Sequence, residues 1–272
     1  MWTARRGPGR LSASGRGRMR RLSHGTHQTL GAMSEYIPHD VDWSPEKTQR
    51  FWDMKASTGD ADYFSAMTGP SLVSSILTLA QPRPGASILD LGCGRGHLLS
   101  LLAARGFRIA GVDSSPGSVR AAQAALASVD PDRIRVGDLS AIPFEAGTFD
   151  VVVLIETIEH VRPESLTSLL EEVRRMLAPN GALFITTPNS EDLSANLVRC
   201  PDCGARFHPM QHLRSWDARS LDGVLTSAGF VDVRTRRTRL PDRGGRFERS
   251  LRSLWYALRG DRRHLIAVAR RD

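Results

Sequence analysis

At 272 residues, two-fifths of them apolar, the chain can form one α/β domain with a full core and extensions. Its net charge of +8 belongs to its ends: residues 1–33 hold seven Arg and no acid, residues 234–272 hold thirteen Arg against four acids, and 34–233 is left at −8. No apolar run approaches the roughly 18 residues of a membrane span, there is no secretory apolar segment, and three cysteines make no disulfide framework, so the expected location is a reducing cytoplasm.

The first 33 residues are Gly, Ser and Arg with few large apolar side chains, and such a segment cannot bury enough surface to fold. It is expected to be disordered and without function. The competing readings are a transit peptide, a basic tail for anionic partners, and an upstream start chosen in error, because ordinary composition begins at Met33 with "MSEYIPHDVDW". Lys occurs twice against 35 Arg, which looks like coding bias and weakens any nucleic-acid reading from charge alone.

After a helical segment over 34–85, strand and helix alternate. "SILDLG" (87–92) reads as a short buried strand, "GHLLSLLAARG" (96–106) as an apolar helix, and "FRIAGVD" (107–113) as a second strand. "PGSVRAAQAALAS" (116–128) is a helix with Pro116 in its first turn, "RIRVGD" (133–138) a third strand and "FDVVVLI" (149–155) a fourth. A helix follows over 164–179, with Leu166, Leu169, Leu170, Val173 and Leu177 on one face, and then a fifth strand over 181–188. This rhythm with near-continuous apolar strands predicts a parallel sheet covered on both faces. It breaks at the end, where a helix (218–230) precedes two strands, 230–237 and 264–271. Between these strands, Phe247, Leu251, Leu254, Trp255 and Leu258 share one face of a predicted helix.

The loop "LDLGCGRGH" (89–97) follows the first strand and opens a helix, with Gly92, Gly94 and Gly96 spaced G-x-G-x-G. A dinucleotide fingerprint needs glycine at 97, where this chain has His97. Asp90, Asp113 and Asp138 stand at the ends of the first three strands and converge on the crevice where such sheets bind ligands. Three carboxylates repel a pyrophosphate but tolerate a sulfonium, so the set suits an adenosine ligand without phosphates.

On the residues "ILDLGCGRG", "GVDSS", "GDLSAIPFEAGTFDVVVLIETIEHV" and "LAPNGALFITTPN", the chain from about 86 to 271 resembles the class I S-adenosylmethionine-dependent methyltransferases. The resemblance implies a Rossmann-like seven-stranded α/β fold, mostly parallel, with a reversed C-terminal hairpin and helices on both faces. The domain would run over 86–272, with insertions at 188–215 and 240–262, and 34–85 would cap the active site. It also implies a cofactor set: Asp90 with the Gly92–Gly96 loop, Cys93 included, at the methionine end; Asp113 with Ser114 at the ribose; Asp138 with Leu139 at the adenine; and Ile155 beside them.

"ETIEHV" (156–161) closes the fourth strand, beside the expected position of the transferable methyl. If a helical turn begins there, Glu156, Glu159 and His160 share one face. Two carboxylates and an imidazole suit Mg²⁺, Mn²⁺ or Zn²⁺. The bland alternative is a helix start whose acids favour the dipole. E-x-x-E-H also resembles two subfamilies, the O-methyltransferases of ubiquinone biosynthesis and the small-RNA 3′-end 2′-O-methyltransferases. The second implies a later metal-ligand His, and His212, with Trp216 and Leu221 beyond it, matches that spacing. A competing set is "CPDCGARFHPMQH" (200–212), where Cys200, Cys203, His208 and His212 have the spacing of a zinc knuckle.

The expected enzyme therefore moves a methyl group from S-adenosylmethionine to a hydroxyl of a small or lipid-like acceptor, with Glu156, Glu159 and His160 as catalytic groups. The alternatives are an RNA 2′-O-methyltransferase or RNA-binding protein using the basic ends, and a non-catalytic cofactor binder. The chain has no aromatic stacking strip to favour nucleic acid.

Overall fold

The computed structural model describes residues 36–57, 64–240 and 263–272. The basic segment 1–33 and the predicted helix over 247–258 lie outside the described residues. The elements in chain order are β1 (His39–Asp40), α1 (Pro45–Ser57), α2 (Phe64–Leu79), β2 (Ser87–Leu91), α3 (His97–Ala103), β3 (Arg108–Asp113), α4 (Pro116–Ala125), β4 (Ile134–Val136), β5 (Phe149–Ile155), α5 (Leu166–Met176), β6 (Leu177–Pro188), β7 (Val198–Arg199), β8 (Ala205–Phe207), α6 (Ala218–Ser227), β9 (Val231–Thr238) and β10 (His264–Arg270). Among the described residues, no helix is long and apolar enough to cross a membrane.

Seven strands form the main sheet in the order β4-β3-β2-β5-β6-β10-β9. The first five pair in parallel, and β10 pairs antiparallel with both β6 and β9. The sheet is thus the expected one, mostly parallel with a reversed C-terminal hairpin. Residues alternate between its faces. Leu89, Leu91, Val152, Leu154 and Leu183 pack into one apolar cluster with Leu169, Leu170 and Val173 of α5 and Leu221 and Leu225 of α6. Ile88, Val151, Val153 and Phe184 pack into another with Leu72 and Ile76 of α2 and Leu98, Leu99 and Leu102 of α3. All of these side chains are buried, and complete burial of one such side chain stabilises the fold by about 1.5–3 kcal/mol.

Helix α5 is shorter than the periodicity suggests. Met176 ends it, and Leu177, fully buried, already begins β6 and pairs with Phe149. A buried apolar residue fits either period, so the helix-to-strand change leaves no sign in hydrophobicity.

The segment between β6 and α6 carries the β7–β8 hairpin, and β8 pairs in parallel with β1 from the start of the domain. His39 N–H donates to the Gly204 carbonyl at 3.2 Å and Val41 N–H to the Arg206 carbonyl at 3.0 Å. This small sheet joins two chain segments 166 positions apart, by its register of His39 with Ala205 and Asp40 with Arg206.

Candidate active site

The turn after β2 is built for close approach. Gly92 has φ +77°, and a Cβ placed there would meet Thr157 Oγ1 at 2.7 Å. Thr157 occupies that space because its one hydroxyl hydrogen is shared between the Leu91 and Ile155 carbonyls, both 3.1 Å from Oγ1. Only glycine fits such a conformation and such a contact. Gly96, at φ +78°, is the N-cap of α3 and lies against Ala122 of α4.

Asp113 closes β3 and accepts two backbone N–H groups, from Gly94 on Oδ2 and from Ser115 on Oδ1, each at 2.9 Å. It therefore ties the glycine turn to the β3–α4 turn. Burial raises its carboxyl, and those two N–H groups oppose the rise. Asp90 is 3% exposed, and its Oδ1 has no hydrogen-bond partner. Burial first, and the Asp113 charge second, push its carboxyl up to about 8. An orphaned buried carboxylate oxygen of this kind is costly unless a cation or donor meets it. Asp138, after β4, accepts on Oδ1 from the N–H and hydroxyl of Ser140, both at 2.8 Å.

A cavity of about 810 Å³ unites these parts. Gly92, Cys93, Gly94, Asp113, Ser114, Asp138, Leu139 and Ile155 line it, and so do Glu156, His160 and His212. Asp90, Gly96 and Glu159 are not on its wall. Asp90 and Glu159 are buried polar side chains, and Gly96 packs on α4.

The "ETIEHV" stretch does not form the expected single helical face. Glu156 takes the left-handed conformation, φ +48°, and only Ile158–His160 make a 3-10 turn. Its N–H reaches back to β6, donating to the Thr186 carbonyl at 3.0 Å. The kink aims Glu156 at the cavity without stacking it on the next turn. Glu159 turns inward, 1% exposed, and accepts on Oε2 from Thr187 Oγ1 at 2.9 Å. Oε1 of Glu156 and Oε1 of Glu159 are both buried without a partner. Burial, opposed by the Thr186 hydroxyl, raises Glu156 to about 8; burial and then the Glu156 charge raise Glu159 well above the carboxylate range.

His160 Nδ1 faces the Gln211 carbonyl at 3.2 Å. A carbonyl only accepts, so Nδ1 carries the hydrogen and Nε2 is the basic nitrogen. Burial, then the neighbouring His212, lower His160 to about 3, and the ring is neutral near pH 7. The His160 and His212 ring centroids are 4.9 Å apart. The ligand atoms of Glu159, His160 and His212 lie within 4.8 Å of one another; Glu156 stands outside that group.

The zinc-knuckle expectation needs correction. Among the described residues, neither potential cation group contains a cysteine; the second is Glu191, His208 and His212. Cys203 is exposed at the tip of the β7–β8 hairpin, whereas His208 faces inward and is 6% exposed. The hairpin therefore separates what the spacing brings together. The Cys200 thiol is held low by the Cys203 N–H first, then by the Asp202 N–H and the Cys203 side chain.

Four contributors were not visible in the sequence. Trp52 of α1 meets the His160 ring edge-on at 4.9 Å and donates from Nε1 to Gln211 Oε1 at 3.0 Å. Asp53 of α1 reaches the β3–α4 turn, and Glu191 Oε2 lies 2.5 Å from His212 Nδ1. Gln211 is fully buried and left-handed, with φ +58°. A readable signal existed only for α1, whose "FWDMK" puts two large aromatics into an otherwise polar helix.

A parallel sheet with a reversed hairpin, a glycine turn after its first strand and acids at the ends of the next two defines the class I methyltransferase type. The chain belongs to this family of S-adenosylmethionine-dependent methyltransferases: residues 66–235 match the family model described as a methyltransferase domain. A protein of Mycolicibacterium smegmatis named a probable S-adenosylmethionine-dependent methyltransferase is 32% identical over 152 residues, 56% of this chain; the chain spans 54% of that relative's length. Nocamycin O-methyltransferase of Saccharothrix syringae is 29% identical over 223 residues, 71% of this chain and 79% of that protein. A ubiquinone biosynthesis O-methyltransferase of Xanthomonas oryzae pv. oryzae is 33% identical over 167 residues, 59% and 65% respectively. Among solved structures, the complex between the Haloferax volcanii Trm112 methyltransferase activator and its methyltransferase partner matches with a TM-score of 0.59 at 22% identity, covering 81% of this chain and 97% of that one. Phosphoethanolamine N-methyltransferase 2 of Haemonchus contortus, in complex with S-adenosyl-L-methionine, gives 0.55 at 18% identity, covering 84% and 57%. At such identities the likeness concerns the fold alone.

Proposed function

We propose that this protein transfers the methyl group of S-adenosylmethionine to a hydroxyl oxygen of a small or lipid-like acceptor. The observation that carries this reading is the shared cavity, whose wall runs from Asp113 and Asp138 to Glu156, His160 and His212. The O-methyltransferase names of two relatives support the hydroxyl acceptor. The cavity wall also includes Trp52, Phe64, Met67 and Met210, which suit an apolar or aromatic body.

On this reading Asp113 accepts hydrogen bonds from the ribose hydroxyls, and Asp138 accepts from the adenine amino group. Asp90, buried behind the glycine turn, supplies negative charge toward the ammonium of the methionine end from outside the cavity wall. The acceptor oxygen attacks the sulfonium methyl in line, the carbon–sulfur bond breaks, and S-adenosylhomocysteine leaves. The hydroxyl proton goes to Glu156 in its ionised form, which burial makes a stronger base than a solvated carboxylate and which gains population as pH rises toward about 8.

The residues also fit a divalent cation. Glu159 Oε1 is buried without a partner, His160 presents Nε2, and His212 lies within reach of both. Glu159, His160 and His212 would hold Mg²⁺, Mn²⁺ or Zn²⁺, with Glu156 beside them. When bound, such an ion supplies charge that lowers the pKa of a nearby hydroxyl.

The test is a methyl-transfer screen with labelled S-adenosylmethionine against catechols with polyprenyl tails, small phenols, glycans and RNA 3′ ends, with and without chelator. Transfer to a phenolic or catechol hydroxyl is expected. Transfer confined to RNA ends would replace the acceptor class, and cofactor binding without transfer to any acceptor would overturn the enzymatic reading.

A further inference from the structure

We infer that Glu191 is a positioning residue for His212: its carboxylate, braced on its other oxygen by His208, fixes His212 as the Nδ1–H tautomer and presents Nε2 to the cavity. The inference rests on the proposed role of His212 at the acceptor end, and its own core is the hydrogen-bond geometry of three side chains.

Glu191 Oε2 lies 2.5 Å from His212 Nδ1, and Oε1 lies 3.5 Å from His208 Nε2. An ionised carboxylate only accepts, so His212 Nδ1 must carry a hydrogen. The remaining nitrogen, Nε2, is then the one with a lone pair. His212 is on the cavity wall and 4.9 Å, ring to ring, from His160.

Glu191, His208 and His212 also lie close enough together to be considered as a cation site in their own right. His208 decides against that. Its Nδ1 faces two backbone N–H groups, of Met210 and of His212, both at 3.4 Å. These only donate, so Nδ1 holds the lone pair and the hydrogen of the neutral ring sits on Nε2, facing Glu191. A nitrogen that carries a hydrogen does not ligate. The three residues therefore form a string in which His212 is hydrogen-bonded to the carboxylate and His208 Nε2 lies 3.5 Å from its other oxygen.

Packing and backbone support the same role. The His208 and His212 rings stack at 4.5 Å with 22° between their planes, which holds the His212 ring against rotation. Glu191 and His212 each follow a left-handed residue, Ser190 at φ +52° and Gln211 at φ +58°. Such conformations are rare outside glycine and persist where surrounding contacts impose them. A carboxylate behind an imidazole fixes its tautomer and raises its basicity, and loss of such a partner lowers metal affinity about 10- to 100-fold.

The experiment uses the full chain saturated with S-adenosylhomocysteine. Long-range ¹H–¹⁵N correlation spectra read the tautomer of each imidazole without any metal, and Mn²⁺ alone is then titrated and followed by electron paramagnetic resonance. Wild type is expected to show His212 protonated on Nδ1 and His208 on Nε2. Glu191→Ala is expected to mix the His212 tautomers and weaken Mn²⁺ about 10- to 100-fold, with S-adenosylhomocysteine affinity unchanged; Glu191→Asp recovers part of both. Should Glu191→Ala fail to fold, the wild-type spectrum and Glu191→Gln carry the test. A wild-type His212 protonated on Nε2, or a variant with unchanged tautomers and unchanged Mn²⁺ affinity, overturns the inference. A wild type that shows the Nδ1–H tautomer yet takes up no Mn²⁺ removes the cation from the proposed function and leaves the positioning role standing.

Discussion

Asp53 Oδ1 accepts a 2.5 Å hydrogen bond from Ser115 Oγ, 62 positions further along the chain, and a second from the Gly117 N–H at 3.1 Å. Ser115 is the N-cap of α4, its own side chain accepting from Ser118 N–H at 3.0 Å. One carboxylate on α1 thus reinforces the helix start beside the Asp113 turn. Asp53→Ala is expected to destabilise the fold by about 0.5–2 kcal/mol, the range of a lost N-cap. The change should appear in urea as a lower midpoint with an unaltered slope. Asp53→Asn, which keeps an accepting oxygen, should recover part of it. An Asp53→Ala midpoint equal to wild type would show that the link contributes nothing.

Asp113→Ala should weaken S-adenosylmethionine and S-adenosylhomocysteine alike, by about 1.5–3 kcal/mol, because the lost hydrogen bonds are charge-assisted. Calorimetry reads this directly. An unchanged affinity for both ligands would remove the ribose assignment.

The pH response follows from Asp90. Its folded pKa of about 8 lies above the ordinary 3.8, raised by burial first and the Asp113 charge second. The protonated form is therefore favoured in the folded, ligand-free state. This contribution to stability is full below about 3.8 and is lost as pH rises through 8. A ligand ammonium held at the glycine turn in front of Asp90 favours the ionised carboxylate and offsets the loss. The gain in melting temperature on adding S-adenosylhomocysteine should therefore widen between pH 6 and 9 in wild type. Asp90→Asn should flatten that trend. A gain that shrinks with pH in wild type would count against an ammonium at Asp90.

His160→Ala separates chemistry from cofactor binding. His160 sits between Trp52, Gln211 and His212 at the acceptor end of the cavity. Turnover is expected to fall on the order of 10²-fold or more, with S-adenosylhomocysteine affinity within a factor of two. Equal losses in both would mean that His160 supports the cofactor instead.

The fold was legible because its information is local. The alternation of β2, α3, β3, α4 and β4 follows from apolar runs punctuated by Gly106 and Pro116, and the glycine turn announces itself by spacing. The cavity-wall carboxylates Asp113 and Asp138 were readable for the same reason, since each closes or follows a strand. The acceptor end was only half legible. Glu156 at φ +48° breaks the helical-face argument, because periodicity carries no sign of a left-handed residue. Cys200 and Cys203 have convincing spacing, yet among the described residues neither thiol joins His208 or His212 in a potential cation group. Trp52, Asp53 and Glu191 act across 159, 62 and 21 positions, to Gln211, Ser115 and His212 respectively. Contacts at such separations are set by tertiary packing and have no local signature.

The pairing of β1 with β8 sets a limit on how this protein can be re-engineered or can diverge. The hairpin insertion shares a backbone seam with β1 at His39 and Val41, and a side-chain seam with α1 at Trp52 and Gln211. The insertion is not a free-standing loop. A chimera that imports 188–215 from a relative with a different acceptor would arrive without its matching first strand and helix, leaving unpaired backbone groups and an unmated indole. On the proposed reading, residues 37–57 and 188–215 act as one module in two pieces of chain, and selectivity for the acceptor is expected to transfer only when both are moved together.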